Sequence, residues 1–397
     1  MEAGVSTGAP DPVVAVEEEE PTARVAVGEE KPAARVEEEE PAPKRPRRTA
    51  RRRTPADETP TPASSSSNQR ELSLEAAAKL CNDAQSILVM SGSGISVSSG
   101  LATFTAKGGT YDRARKKFKL KQGIDLFHWR FYEERPADSL WFLASMHEAV
   151  AKARPTPTHA ALVDLEASRR LRRHYTMNID GLHKMAGATV WNGKDAVLEE
   201  RTVELHGNLG HLLDVATGEV FKVEPESIRR LKRGKPAFEE EDDTKKKRKK
   251  EQPTPLYVSG TRISDAETSP ARVRFRVLLY DDEEHEAVLN GKAAMAALEA
   301  DVATADLVLW LGISFEQSAS CGYLSKVENL LSRSQRLGKT PMLLVNPDTD
   351  AAFNAASSLT NPELVSVLLA TSDCLFAECA KRSSPATTET LPPPITS

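Results

Sequence analysis

The residues of this chain that could do chemistry sit at the ends of short apolar runs. Ile87-Leu88-Val89-Met90 is followed by Ser91-Gly92-Ser93-Gly94-Ile95-Ser96-Val97-Ser98-Ser99-Gly100. Glycines let backbone approach a ligand closely, and consecutive N–H groups ahead of a helix make a cradle for phosphate. The run is not a full G-x-G-x-x-G, because Val97 stands where the third glycine would be. His174-Tyr175-Thr176-Met177 reads as a strand end and leads into Asn178-Ile179-Asp180-Gly181-Leu182-His183. Polar residues just past a strand's carboxyl end are where open α/β sheets bind ligands. Glu204-Leu205-His206-Gly207, Gly312-Ile313-Ser314 and Val345-Asn346 repeat the arrangement. Any one of these could be an ordinary strand exit; together they describe one sheet edge.

The elements that must hold these residues follow from pattern. Ser73 reads as the cap of a helix over 76–80 that feeds the strand at Ile87. Thr156-Pro157-Thr158-His159 opens a helix over about 160–168, with Ala161, Leu162 and Leu165 on one face. Helices are expected at 293–301 and 327–331, with apolar strands at 305–311 and 341–345. The aromatic stretch Phe127, Trp129, Phe131, Tyr132, Trp141 and Phe142 reads as core packing. Alternating apolar strands and helices argue an α/β class with a doubly wound, Rossmann-like parallel sheet.

Residues 1–70, without an aromatic side chain, read as a disordered tail, and residues 382–397 as a second. The net charge of only -5 hides strong segregation. Arg45, Arg47, Arg48 and Arg51-Arg52-Arg53 form a basic cluster expected to direct nuclear import, with the cytoplasm as the alternative, or to touch nucleic acid weakly. Acidic residues 239–243 and basic residues 245–250 mark 225–256 as a charged, disordered insertion. Cys81, Cys321, Cys374 and Cys379 form no C-x-x-C pair, which fits free thiols in a reducing compartment. No apolar run reaches the roughly 20 residues of a membrane span, so no membrane partner is expected.

In order, these motifs resemble the sirtuin family of NAD-dependent protein deacylases. The family's Gly-Ala-Gly-x-Ser-x-Ser-x-Gly-Ile-Pro-Asp-Phe-Arg stands here as residues 92–105. Its Thr-Gln-Asn-Ile-Asp-Gly-Leu stands at 176–182, its Glu-Leu-His-Gly at 204–207, its Gly-Thr-Ser at 312–314, and its Ile-Asn at Val345-Asn346. Leu278-Leu279-Tyr280 echoes its Val-x-Phe-Gly-Glu substrate strand. That pattern asks for Ser96, Ser98 and Gly100 and not for a glycine at Val97. The resemblance implies a DHS-like NAD-binding fold over 71–381 with a smaller inserted module at 208–276. It implies His206 as general base, with Asn178 and Asp180 at the nicotinamide end. It implies a cofactor set of Gly92, Ser93, Gly94, Ser96, Phe104, Thr176, Asn178, Asp180, Gly312, Ser314, Asn346 and Cys374. The implied activity is transfer of an acyl group from protein lysine, histones among the candidate targets, to ADP-ribose with release of nicotinamide.

Four departures bear on that expectation. Ala102-Thr103 and Thr105 replace the family's Pro-Asp and Arg, and Met177 replaces its Gln. No cysteine lies between Cys81 and Cys321, where the family holds structural zinc, so no metal is expected. The losses keep a second class open: a catalytically weak NAD or ADP-ribose binder acting as a scaffold. Mono-ADP-ribosyl transfer is a third reading, and tethering to chromatin through the basic tail a fourth.

Overall fold

The computed structural model describes residues 69–215, 217–234, 257–258 and 271–383. The tails, both basic clusters and most of the charged insertion lie outside these residues. The elements in chain order are β1 (Arg70–Glu71), α1 (Leu74–Asp83), β2 (Ile87–Ser91), α2 (Thr110–Phe118), α3 (Trp129–Glu134), α4 (Pro136–Val150), α5 (Pro157–Ala167), β3 (Leu171–Thr176), α6 (Leu182–Met185), β4 (Thr202–Glu204), β5 (Gly207–Asp214), β6 (Val220–Lys222), α7 (Pro225–Lys232), β7 (Tyr257–Val258), β8 (Ala271–Val277), α8 (His285–Val288), α9 (Gly291–Val302), β9 (Leu307–Leu311), α10 (Ser318–Arg333), β10 (Met342–Val345), α11 (Thr349–Ser357), β11 (Val365–Leu368) and α12 (Ser372–Ser383). Short 3₁₀ turns occupy Ser93–Ser99 and Gly123–Phe127.

Seven strands pair in the order β1-β11-β10-β9-β2-β3-β4, all parallel. Parallel strands carry helices on both faces, so alternate side chains must be buried in opposite directions. Leu88 and Met90 of β2 join one core with Val308, Trp310 and Leu344. Ile87 and Val89 join the other with Leu309, Leu343 and Val345. This is the doubly wound α/β fold. Ser73 caps α1 by accepting from the Ala76 N–H at 3.2 Å, and Thr156 caps α5 three residues earlier than the apolar pattern alone suggests.

A second, antiparallel sheet runs β6-β5-β8-β7. Its core is shared with helices from 100 residues upstream. Leu209, Leu212, Phe275 and Val277 pack with Phe127, Trp129 and Phe142, so the aromatic stretch is core, and it belongs to the small module. The expected disordered insertion begins too early. Residues 225–232 form α7, which buries Ile228 and Leu231 and pairs Lys232 with Glu148 of α4 at 2.5 Å. Its apolar residues are only two, three positions apart, and the surrounding charge masks them.

The end of β8 is locked by a buried ion pair. Arg274 donates to both carboxylate oxygens of Asp282, at 2.8 and 2.6 Å, and lies over the rings of Trp129 and Tyr132. Asp282 also accepts from the Leu279 and Glu284 N–H groups, which fixes the turn after β8. Breaking such a pair from one side leaves an uncompensated buried charge. Arg274→Met is expected to cost about 3–5 kcal/mol in urea unfolding, and Asp282→Asn on that background to recover part of it. A single variant within about 1 kcal/mol of the parent would show that the pair is not the lock.

Candidate functional site

The main sheet reverses its winding between β2 and β9, because β3 and β4 extend it one way and β9, β10 and β11 the other. Loops leaving the two strands diverge at such a point and open a crevice. Here they first touch. Gly92 N donates to Leu311 O at 3.0 Å and Gly94 N to Gly312 O at 2.9 Å. A Cβ on Gly94 would lie 2.6 Å from Gly312 Cα, and Gly312 itself has a φ of +62°. Asn346 and Asn354 pin the second loop by donating to Ile313 O (2.9 Å) and Ser314 O (3.1 Å).

The crevice is a cleft of about 280 Å³. Gly92, Ser93, Gly312 and Ser314 form one wall, Phe104, Tyr111 and Phe127 another, and the β8 exit, residues 277–280, a third. The three aromatic rings meet edge to face at 5.5–5.7 Å. Among the described residues, no Lys, Arg, Asp or Glu lines the cleft. The first turn of α10 does, through Gln317, Ala319 and Ser320, and no side chain caps that helix. Free N–H groups at a helix N-terminus and the glycine backbone are therefore what an anion meets here.

His206 and Asn178 both line the cleft. Its Nδ1 lies 3.2 Å from Met177 O, an acceptor only, so Nδ1 carries the hydrogen and Nε2 is the basic nitrogen. Burial lowers the affinity of the ring for a second proton below that of an ordinary histidine. Asn178 donates to Ser96 Oγ at 3.3 Å, and Ser96 donates to Asp180 at 2.7 Å.

A match to the Sir2 family description covers residues 92–318, more than half of the 397-residue chain. The chain belongs to the Sir2 family. It is 32% identical over 150 residues to "NAD-dependent protein deacetylase sir-2.1" of Caenorhabditis elegans, covering 38% of this chain and 23% of that protein. It is 30% identical over 148 residues to "NAD-dependent protein deacylase 2" of Pyrobaculum aerophilum, covering 36% and 51%. The match thus spans about a quarter to a half of these relatives. Solved structures share the fold: a Sir2 homolog–NAD complex (TM-score 0.52, 17% identity, 80% of this chain and 97% of that one) and Sir2 bound to acetylated peptide (0.51, 17%, 78% and 98%).

In this Sir2 chain the sequence-derived site residues separate into layers. Gly92, Ser93, Phe104, Asn178, His206, Gly312 and Ser314 line the cleft. Gly94, Ser96, Thr176, Asp180 and Asn346 stand behind it and act on those that do: Thr176 Oγ1 accepts from the Asn178 N–H at 3.1 Å, for example. Cys374 is exposed on the first turn of α12 and lies outside the lining. Tyr111, Tyr280, Gln317 and Tyr323 line the cleft and stand in none of the expected site sets. Tyr280 belonged to the substrate-strand echo and was legible; a tyrosine in mid-helix, such as Tyr323, carries no local signal.

Beneath the cleft is a layer of buried histidines. His183 Nε2 contacts Glu204 at 2.9 Å, and Ser91 Oγ bridges His174 Nε2 (2.7 Å) and Thr176 (2.9 Å). Burial alone would push His183 down, but the Glu204 hydrogen bond and charge, helped by Asp180, hold it above the ordinary value. Burial pushes His159 down to about 4 and His174 well down, with His183 opposing protonation of both. One atom each of His159, Asp180 and His183 lies within 4.8 Å of the others, the only such group among the described residues. His159 Nδ1 accepts from the Thr156 N–H at 3.2 Å, which leaves its proton on Nε2. A metal ion needs the imidazole nitrogen free of its proton, and the Nε2–H of His159 does not offer that.

The sign of the pH dependence follows. His159 and His174 resist protonation when folded, so below pH 6.5 the unfolded chain binds more protons and stability falls on acidification. His183 acts oppositely: its contribution is complete below the unfolded value and is lost as pH rises through its folded one. His159 alone is expected to remove about 2 kcal/mol between pH 7 and pH 5. Urea unfolding at both pH values should show that loss shrinking by about this amount in His159→Gln; an unchanged loss would refute a neutral buried His159.

Proposed function

We propose that this chain is an NAD-dependent protein-lysine deacylase that moves the acyl group to ADP-ribose and releases nicotinamide. The observation that carries the reading is His206, oriented by Met177 O with Nε2 as base, across a cleft from the glycine wall. The names of the relatives support it. The cleft fits a dinucleotide in two respects: Gly92 and Gly94 leave no room for side chains where the loops meet, and the α10 N-terminus answers phosphate charge. Bound NAD would supply an electrophilic ribose carbon with nicotinamide as the leaving group.

The chain's own residues have separate tasks. The walls of Phe104, Tyr111 and Phe127 exclude water from the reacting end. Asn178 and Ser96 hold the polar end in one arrangement. His206 Nε2 takes a hydroxyl proton, and burial keeps that nitrogen unprotonated at neutral pH. The acylated lysine belongs to an extended segment that adds beside residues 278–280 as a strand. Histones are the proposed target class, with the nucleus as location, on the strength of the basic clusters at 45–53 and 245–250. The same clusters would give the chain weak contact with nucleic acid.

A second reading has a specific observation behind it. Thr105 and Met177, two of the departures from the family pattern, both line the cleft. A weak NAD or ADP-ribose binder would follow from them. Incubation with NAD and acyl-lysine peptides should release nicotinamide in a peptide-dependent way, falling about a hundredfold or more in His206→Ala. NAD binding without such release would establish the binder, and label transferred from NAD to protein the ADP-ribosyltransferase.

We further propose that the small module needs no structural zinc. Its core is apolar and aromatic, closed by the Arg274–Asp282 pair, and no cysteine falls within 208–276. Elemental analysis of the purified chain should find well under one zinc per molecule; one per molecule would overturn this.

A further inference from the structure

A second cavity, of about 420 Å³, lies away from the cleft and shares none of its lining residues. Its size is within the ligand-site range of about 300–1,000 Å³. Lys184, Lys194, Lys222 and Arg276 surround it, against one carboxylate, Glu204. Four segments contribute these cations: α6, the loop before β4, β6 and β8. The charge is therefore assembled by the fold and is not a run along one helix.

The bland alternative is a solvated basic patch, and three observations speak against it. Arg276 is only 6% exposed, and among the described residues neither it nor the three lysines forms an ion pair with a carboxylate. The Arg276 guanidinium is held by backbone instead, Nε donating to Val288 O at 3.0 Å and Nη2 to Asn192 O. A buried cation with no direct ion pair is costly unless something anionic answers it. Second, Trp191, 3% exposed, lines the cavity with its Nε1 donor lacking a hydrogen-bond partner. Third, the basic groups press on one another: burial and Arg276 lower Lys194, and burial, Lys184 and Arg276 lower His211. Glu204 acts on Arg276 and His211, but it is one carboxylate against four cations, and His183 and Asn208 also bind its two oxygens.

We infer that this cavity is a binding site for a small diphosphate-bearing anion, with Arg276 as its inner cation, Lys184, Lys194 and Lys222 as its rim, and Trp191 in its wall. The several negative charges of a diphosphate answer four cations that face one carboxylate. Arg offers a planar fork to phosphate oxygens, and Lys a mobile point charge. The inference is independent of what the cleft catalyses.

Inorganic pyrophosphate is the probe. Fluorine NMR of full-length, fluorotryptophan-labelled protein gives a signal from Trp191, assigned by its loss in Trp191→Phe. That signal is expected to shift saturably on titration with pyrophosphate. The exposed charge reversals Lys184→Glu and Lys222→Glu together should weaken the site by about tenfold or more, with thermal unfolding unchanged. Lys194→Glu supplies a second variant should the pair fail to fold. Two results would overturn the site: no movement of the Trp191 signal at millimolar pyrophosphate, or a shift indifferent to the charge reversals. Pyrophosphate that moves only other tryptophan signals has bound elsewhere, and that too rules against it.

Discussion

Everything at the site depends on a contact between two glycines. Gly94 and Gly312 abut backbone to backbone, and two N–H···O bonds continue the β2–β9 pairing past the ends of both strands. The atoms a Cβ would strike are main-chain atoms, which cannot rotate aside. The separation of the two loops is therefore set by main-chain packing and two hydrogen bonds, and with it the spacing of the cleft wall they form. Asn346 and Asn354 hold the second loop from the sheet and from α11. A phosphate cradle needs N–H groups that are already in position, because ordering them at the moment of binding would cost free energy. The contact uses the Gly92 and Gly94 N–H groups themselves, so what it holds in position is the path of both loops and the groups that follow on them.

The polar layer below does the same for the other wall. β3 is tied at its far end by Asp301, which takes Arg172 (2.7 Å), Arg173 (2.6 Å) and the Tyr175 hydroxyl (2.8 Å). At its near end Thr176 hands over to Ser91 and His174. Asn178 and Asp180 thus leave a strand that is held at both ends. Among the histidines, one is driven toward the charged state by Glu204 and two toward neutrality by burial. Alternation of that kind keeps like charges apart in a low-dielectric interior, where adjacent imidazolium ions would repel strongly.

Much of this was legible in the chain, and what was not has identifiable causes. The doubly wound sheet followed from apolar runs ending in polar residues, since β2, β9 and β10 are buried on both faces and carry little else. The glycine turns and His206 were visible as residue types at strand ends. The second layer of the site was not, because Glu204 meeting His183 or Ser96 meeting Asp180 is a matter of crossover, not of spacing. The small module was harder still. Its helices α2–α4 and its sheet are separated by most of β3–β4 in sequence, and α7 shows only two apolar residues within a charged stretch.

The departures from the family pattern do not weigh equally. At Met177 the side chain differs, but the group that orients His206 is the residue's backbone carbonyl, which any amino acid would supply. The orientation of the His206 ring should therefore be insensitive to this change, and the consequence is confined to what the thioether touches in the cleft. Thr105 is different. It lines the cleft, it is neutral, and among the described residues no lysine or arginine lines the cleft in its place. A guanidinium lost from that wall leaves only backbone N–H groups and the α10 dipole to face an anion. Dipoles weaken faster with distance than a full charge does, so they favour a ligand seated directly against the glycine wall. Catalysis at this cleft would thus rest on geometric fit more than on charge, which returns the burden to the Gly94–Gly312 contact.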